Sequence, residues 1–351
     1  MTSILHGGDL NVARQHFGDI DQTWLDLSTG ISPWSWPVDT IPDAIWRNLP
    51  TRQEGLLTAA SKYYDCQTHQ LLPIAGSQIM IRLLPILLSM RPSSSPDFQT
   101  QTASQRIAIP HLGYQEHRFS WQIAGYNIVD YHDIQHLEEL VGTQQVDHIV
   151  IINPNNPSTE QATISTLLTL RKQLCPSALM LIDEAFIDNQ PQHSCSTLCA
   201  EHDILILRSI GKFFGLAGLR LGFLIGQGSL FNLANTILQP WSVNGAALHI
   251  AEQALLDTTW QAQQRCRIAQ QQDELLDDLS NAIKQRARIK SAGLFTSIFA
   301  ESDFIQHLYQ HLGKQGILVR HSGDSSTQWC RLGLPGNDQQ QQRLRSALAH
   351  L

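Results

Sequence analysis

Through the first two thirds of the chain, short apolar runs rich in β-branched residues alternate with longer stretches whose apolar positions recur at helical spacing. That is the pattern of a mostly parallel sheet covered by crossover helices. Residues 106–109, 127–129, 148–152, 178–182, 204–207 and 221–225 read as strands, and 165–174 shows the spacing of a crossover helix. Beyond about residue 240 the pattern changes. Helices are predicted over 245–256 and, through a glutamine-rich stretch, from 259 to about 286, followed by strands at 295–299, 317–320 and 330–334 and a closing helix over 338–351. The expectation is an α/β protein: a large domain over 46–240, a smaller α+β domain over 241–351, and an N-terminal segment, 1–45, joining the small domain. The polar stretch 91–105, with Pro92, Ser93, Ser94, Ser95 and Pro96, reads as a surface loop.

Composition narrows the function classes. Of 351 residues, 42% are hydrophobic and 16% charged, enough apolar surface for a sizeable core and unlike a disordered, collagen-like or coiled-coil chain. The net charge of −7 comes with no basic run, which argues against nucleic acid or an anionic membrane as partner. Small molecules are the expected ligands. The longest apolar stretch, 79–90, is interrupted by Arg82 and Pro85 and falls short of the roughly 20 residues that span a bilayer. The first nine residues carry neither a basic nor a long apolar leader segment, so a cytoplasmic protein is expected. Six cysteines are too sparse for a disulfide framework and read as reduced. His193, Cys195, Cys199 and His202 have no second cysteine pair at zinc-site spacing, so no metal is assigned. The glutamines at 261–272 and 339–342 are expected on exposed helix faces.

Four segments carry candidate chemistry. In Ser209-Ile210-Gly211-Lys212-Phe213-Phe214-Gly215-Leu216-Ala217-Gly218-Leu219-Arg220-Leu221-Gly222, one lysine sits in an apolar, glycine-rich setting. Desolvation there would lower the amine pKa and make it a better nucleophile, the alternative being a snorkelling lysine before a strand. Asp183 ends a predicted strand, at the edge where open parallel sheets bind ligands. Asn153-Pro154-Asn155-Asn156-Pro157 forms a rigid turn at the same edge, and Ala75-Gly76-Ser77-Gln78 could open a helix whose free N–H groups would hold a phosphate. All four converge on one rim.

In this order and spacing, the N-P-x-N-P turn, the D-E-A-F strand end and the S-x-x-K-x-x-G-L-A-G-x-R-x-G loop resemble the fold-type I, pyridoxal-phosphate-dependent aminotransferase family, in its histidinol-phosphate aminotransferase-like branch. The resemblance covers nearly the whole chain. It implies a mostly parallel seven-stranded sheet between helices, a smaller α+β domain and pyridoxal 5'-phosphate (PLP) as cofactor. By position, Lys212 would bond to the cofactor aldehyde, Asp183 pair with the pyridine nitrogen and Asn156 reach the ring hydroxyl. Ser77, Gln78, Ser209 and Arg220 would hold the cofactor phosphate, Tyr114 stack on the ring, with Leu112 the poorer alternative, and Arg331 grip the substrate carboxylate. Two positions depart from the branch: Phe186 stands where a tyrosine is usual, and Leu49-Pro50-Thr51 where Tyr-Pro-Asp is usual.

The opening His6-Gly7-Gly8-Asp9, the segment from Asp26 to Pro33 and Gly113-Tyr114-Gln115-Glu116-His117 resemble, more narrowly, the L-threonine-O-3-phosphate decarboxylases of cobalamin biosynthesis. This implies a phosphorylated amino acid as substrate. Arg320 and His6 would take its phosphate, Arg331 its carboxylate, Gly30 would line its site, and Lys212 would reprotonate Cα. His117 and Trp121 read as packing beside Tyr114. A homodimer is implied, and a partner in cobinamide assembly is possible on the same ground. The competing readings are a histidinol-phosphate-type aminotransferase and a non-catalytic PLP-binding partner subunit.

Overall fold

Three fully buried strands, β5 (His148–Ile152), β6 (Met180–Asp183) and β7 (Ile204–Ser209), form the centre of the molecule, and their near-continuous apolar runs reflect cover on both faces. The computed structural model describes residues 6–18, 23–50, 54–91, 105–200, 204–322 and 328–351. With β2 (Leu71–Ile74), β3 (Arg106–Pro110), β4 (Asn127–Tyr131) and β8 (Gly222–Ile225), the central strands make a seven-stranded sheet in the order β2-β8-β7-β6-β5-β3-β4. From β7 through β4 neighbouring strands pair in parallel, while β8 runs antiparallel to both β7 and β2.

Successive strand residues feed opposite faces, as a two-residue period requires. Ile149, Ile151, Met180, Ile182, Ile204 and Ile206 enter one apolar cluster, whereas Val150, Leu181, Leu205 and Leu207 enter another. The second cluster holds the helix Ser77–Ser89, which buries Met80, Ile81, Leu84, Leu87 and Leu88 with Pro85 inside it. The apolar run 79–90 is therefore a core helix. Strand β2 was not anticipated, because Pro73 interrupts a short run. At the sheet edge a proline costs no ladder bond on its open side, and β2 pairs with β8 alone.

A second, four-stranded antiparallel sheet follows the order β12-β13-β10-β9, from β9 (Arg288–Ser291), β10 (Phe295–Phe299), β12 (Arg320–His321) and β13 (Trp329–Gly333). The expected strand at 317–320 is divided. Ile317–Leu318 (β11) pairs in parallel with Leu25–Asp26 (β1), then the chain passes Val319 and joins β13 as β12. Strand β9 escaped the sequence reading because its Arg-Ile-Lys-Ser pattern is half exposed. The long helix Thr258–Ile283 lies close to the expected one. The stretch 92–104, most of the expected surface loop, lies outside the described residues.

The glutamine expectation is corrected. Gln261, Gln264 and Gln341 are buried. Gln261 Nε2 donates to the carbonyls of Ala254 and Leu255, satisfying acceptors at the end of the helix Gly245–Leu256. Gln264 Nε2 donates to Ser32 Oγ at 2.6 Å and to the Phe213 carbonyl at 3.0 Å, tying the long helix to the lysine loop and to the N-terminal segment. Cys195 and Cys199 are buried in the first apolar cluster, and His202 lies outside the described residues. Among the described residues no helix is long and apolar enough to cross a membrane.

Candidate active site

Lys212 sits in the single helical turn Ile210–Phe213 that leaves the end of β7. Segment 28–36 clasps this turn: Ser32 N donates to the Lys212 carbonyl and Trp36 N to that of Phe214, both at 2.9 Å. Gly215 takes φ +64°, and a Cβ there would lie 2.7 Å from the Trp34 carbonyl oxygen, so the close approach requires glycine. The Lys212 ammonium lies 5.6 Å from the centre of the Phe186 ring. Burial pushes its pKa down to about 8; Arg331 and Arg220 push the same way and Asp183 opposes them. The amine is thus poised to exchange protons near neutrality.

Asp183 ends β6 beneath this turn. Its Oδ2 lies 2.9 Å from Nε2 of the fully buried His117, and its Oδ1 accepts from Ala185 N at 3.1 Å. His117 belongs to the helix Gln115–Ile123, whose entry residue is Tyr114. The Tyr114 hydroxyl donates to Gln78 Oε1 at 3.0 Å, and Gln78 Nε2 donates to Glu116 Oε2 at 2.8 Å. Burial, with Glu116 and Asp183 adding to it, pushes the Tyr114 phenol up to about 12, so it stays protonated as a donor. The Leu112 carbonyl is taken by Asn155 Nδ2 at 2.7 Å.

The start of the helix Ser77–Ser89 meets the far end of the lysine loop. Gly76 precedes that helix at φ +79°, and a Cβ on it would stand 2.7 Å from Arg220 Nη2. Arg220 itself is left-handed at φ 55°, ψ 52°, a costly backbone state for a long side chain, and Nη1 donates to the Ala217 carbonyl at 3.1 Å. Ser209 faces Gly222 across β7 and β8, and a Cβ on Gly222 would come within 3.2 Å of Ser77 N. The start of the helix at Ser77, the strand end at Ser209 and the Arg220 guanidinium therefore meet around one cradle, a setting for an anion.

On the other side, Arg331 Nη1 donates to Asn156 Oδ1 at 2.5 Å and Nη2 to the Ser28 carbonyl at 2.7 Å, with the guanidinium 5.3 Å from the Phe295 ring centre. Burial, and then the neighbouring Arg320, push the Arg331 pKa down to about 10. Arg320 lies directly opposite Arg331 in the β12–β13 register, and burial lowers its pKa too. Gly30 packs on Phe186 so closely that a Cβ would stand 2.6 Å from the ring edge. His6 Nε2 lies 3.1 Å from Glu116 Oε1, with its ring centre 6.4 Å from that of Tyr114.

Residues 60–348 match the family model described as aminotransferase class I and II. The chain belongs to this family. A threonine-phosphate decarboxylase from Pseudomonas aeruginosa is 35% identical, covering 98% of this chain and 96% of the relative. Another from Sinorhizobium is 32% identical over 99% and 98%. The fold matches a histidinol-phosphate aminotransferase from Sinorhizobium meliloti in complex with pyridoxal-5'-phosphate, at a TM-score of 0.79 and 16% identity, covering 97% of this chain and 93% of that one.

The site accommodates PLP, the cofactor of this family, group by group. The amine of Lys212 suits the aldehyde, the buried carboxylate of Asp183 suits a protonated ring nitrogen, and the cradle between Gly76 and Arg220, which a Cβ would fill, suits the phosphate. His117 packs edge-on against Tyr114 as expected, with ring centres 6.3 Å apart, and its ring also meets the Asp183 carboxylate. Glu116 and Ser28 entered the sequence reading only as members of motifs, and Arg82 only as an interruption of an apolar run, none with a role at the site. The signal for His117 was its spacing, three residues after Tyr114, on the first turn of the helix that Tyr114 opens. Thr51, of the Leu49-Pro50-Thr51 departure, lies outside the described residues, and Leu49 is exposed.

Proposed function

We propose that the chain decarboxylates L-threonine O-3-phosphate with PLP as cofactor, giving carbon dioxide and (R)-1-aminopropan-2-yl phosphate for the linker of the cobalamin nucleotide loop. The observation that carries this reading is the Arg320–Arg331 pair on facing strand positions, with Arg331 near enough to Lys212 to act on its charge. A substrate with an anion at each end matches two guanidiniums brought to facing positions. The two full-length relatives named threonine-phosphate decarboxylase support the same substrate.

Bound PLP supplies the electron sink for the pair left on Cα when the carboxylate departs. Lys212 would hold it through its aldehyde, Asp183 would keep a proton on the ring nitrogen, Asn156 would bond the ring hydroxyl, and Tyr114 would cover the ring. Ser77, Gln78, Ser209 and Arg220 would take its phosphate. Arg331 then holds the substrate carboxylate while Arg320 and His6 hold the substrate phosphate, with Gly30 lining the site. Gripping both ends fixes which bond to Cα is oriented for cleavage. The Cα–carboxyl bond breaks, carbon dioxide leaves, and Lys212 delivers a proton to Cα.

A homodimer belongs to this reading. Trp46, Leu49 and Trp241 are exposed, and Trp241 lies with Pro50 and Leu248 along one groove, an apolar face that a second copy would cover. Six free cysteines favour a cytoplasmic location. The domain division at 46–240 and 241–351 fits the separation of the two larger sheets.

Incubating the PLP-loaded protein with L-threonine phosphate tests the reading, by carbon dioxide release and the mass of the amine. Both products are expected. Amino-group transfer to 2-oxoglutarate from histidinol phosphate, without carbon dioxide from threonine phosphate, would replace it with the aminotransferase.

A further inference from the structure

Glu116 is 3% exposed, yet its carboxylate serves three segments. Oε2 accepts from Gln78 Nε2 at 2.8 Å and pairs with Arg82, whose guanidinium lies 4.4 Å from the Phe119 ring centre. Gln78 and Arg82 lie on the helix Ser77–Ser89 and Glu116 on Gln115–Ile123, so those contacts bind two neighbouring helices of the large sheet. The third contact differs in kind. Oε1 meets His6, from a segment that reaches the site from the other side: Gly8 N donates to Ser28 Oγ at 2.7 Å, Ser28 Oγ donates to Asp26 Oδ1 at 2.6 Å, and the Ser28 carbonyl accepts from Arg331.

The His6 side chain is half exposed, and Glu116 is its polar partner among the described residues. A half-exposed ring with no anchor would sample several rotamers and have to be ordered at each binding event. We propose that Glu116 is a positioning residue that presents His6 to the substrate phosphate, while Arg82 and Gln78 hold the Glu116 carboxylate itself in place. Arg82 balances the buried negative charge, so the contact to His6 is left to set geometry. Together with the Asp26–Ser28–Gly8 chain, it holds the N-terminal segment at two points, one on each side of the cleft. The proposal rests on the reading of His6 as a substrate-phosphate group.

Two measurements on the PLP-loaded protein test it. In protein labelled at histidine Cε1, the His6 resonance, assigned by its loss in His6→Ala, is expected to move to the position of a mobile histidine in Glu116→Ala without any substrate present. In a double-mutant cycle, Glu116→Ala is expected to raise KM for threonine phosphate about tenfold with kcat changed less than twofold, and to change KM less than twofold when His6 is already alanine. Glu116→Gln, which keeps an acceptor for Gln78, takes the place of alanine should Glu116→Ala lose its cofactor absorbance. An unmoved His6 resonance, or KM effects that add across the two sites, would overturn the proposal alone. A His6→Ala enzyme with unaltered KM would overturn the reading of His6 and the proposal with it.

Discussion

Arg320 and Arg331 occupy facing positions on β12 and β13, beside Asn156 and Ser28, which hold the Arg331 fork. Two guanidiniums so placed offer one grip to each anionic end of a substrate. Replacing Arg320 with Gln should leave the fold intact, with a melting temperature close to that of the wild type. The same change should lower kcat/KM for threonine phosphate by about 10- to 100-fold, the value of about 1.5–3 kcal/mol for a lost charge-assisted contact. Thermal melts and steady-state kinetics on one preparation separate the two effects, and a variant that is both less stable and fully active would contradict the assignment.

The Lys212 amine gives a pH dependence of definite sign. Its folded-state pKa, about 8, lies below the unfolded value for lysine. Below pH 8 the amine is charged in both states and burial of that charge weighs against the cofactor-free fold. As pH rises from about 8 to about 10.5 the folded protein has released the proton and the unfolded chain still binds it, so this contribution favours folding increasingly. Urea titrations of cofactor-free protein should show the increment in wild type and lose it in Lys212→Met. The same substitution should cut carbon dioxide release at least about 100-fold, the usual scale of a lost proton donor.

His117 reports on the ring-nitrogen end of the site. Removing it as His117→Ala strips a contact from the buried Asp183 carboxylate, which keeps its bond from Ala185 N. Cofactor affinity should fall by about tenfold or more, in line with about 1.5–3 kcal/mol for a hydrogen bond to a charged group. Titration of the cofactor-free variant with PLP, followed by visible absorbance, measures this directly.

Gly76 joins backbone demand to site geometry. In Gly76→Ala the positive φ with extended ψ, a backbone state kept almost wholly to glycine, costs about 1–3 kcal/mol, and the added methyl meets Arg220 Nη2. Both a lower melting temperature and weaker cofactor binding are expected, whereas Gly142→Ala, at a helical position where an added Cβ meets nothing within 4 Å, should lower neither.

Much of this site is visible in sequence because its parts are local. Asp183, Asn156, Ser77, Lys212 and Arg220 each stand at a strand end, a turn or a helix start, where hydrophobic periodicity and turn chemistry place them on one rim without knowledge of the packing. The fold class is visible for the same reason: buried parallel strands and amphipathic helices differ in period. Tertiary structure alone decided the partnerships. His117 becomes the neighbour of Asp183, 66 positions away, only when its helix packs against the strand ends, and Gln264 binds Ser32 across 232 positions. Nothing in a glutamine-rich helix marks which amide turns inward. Likewise the division of 317–321 between two sheets follows from β1 arriving beside β11, a pairing between segments nearly 300 residues apart. Periodicity records what a segment buries; which residues meet across the cleft depends on how the segments are brought together.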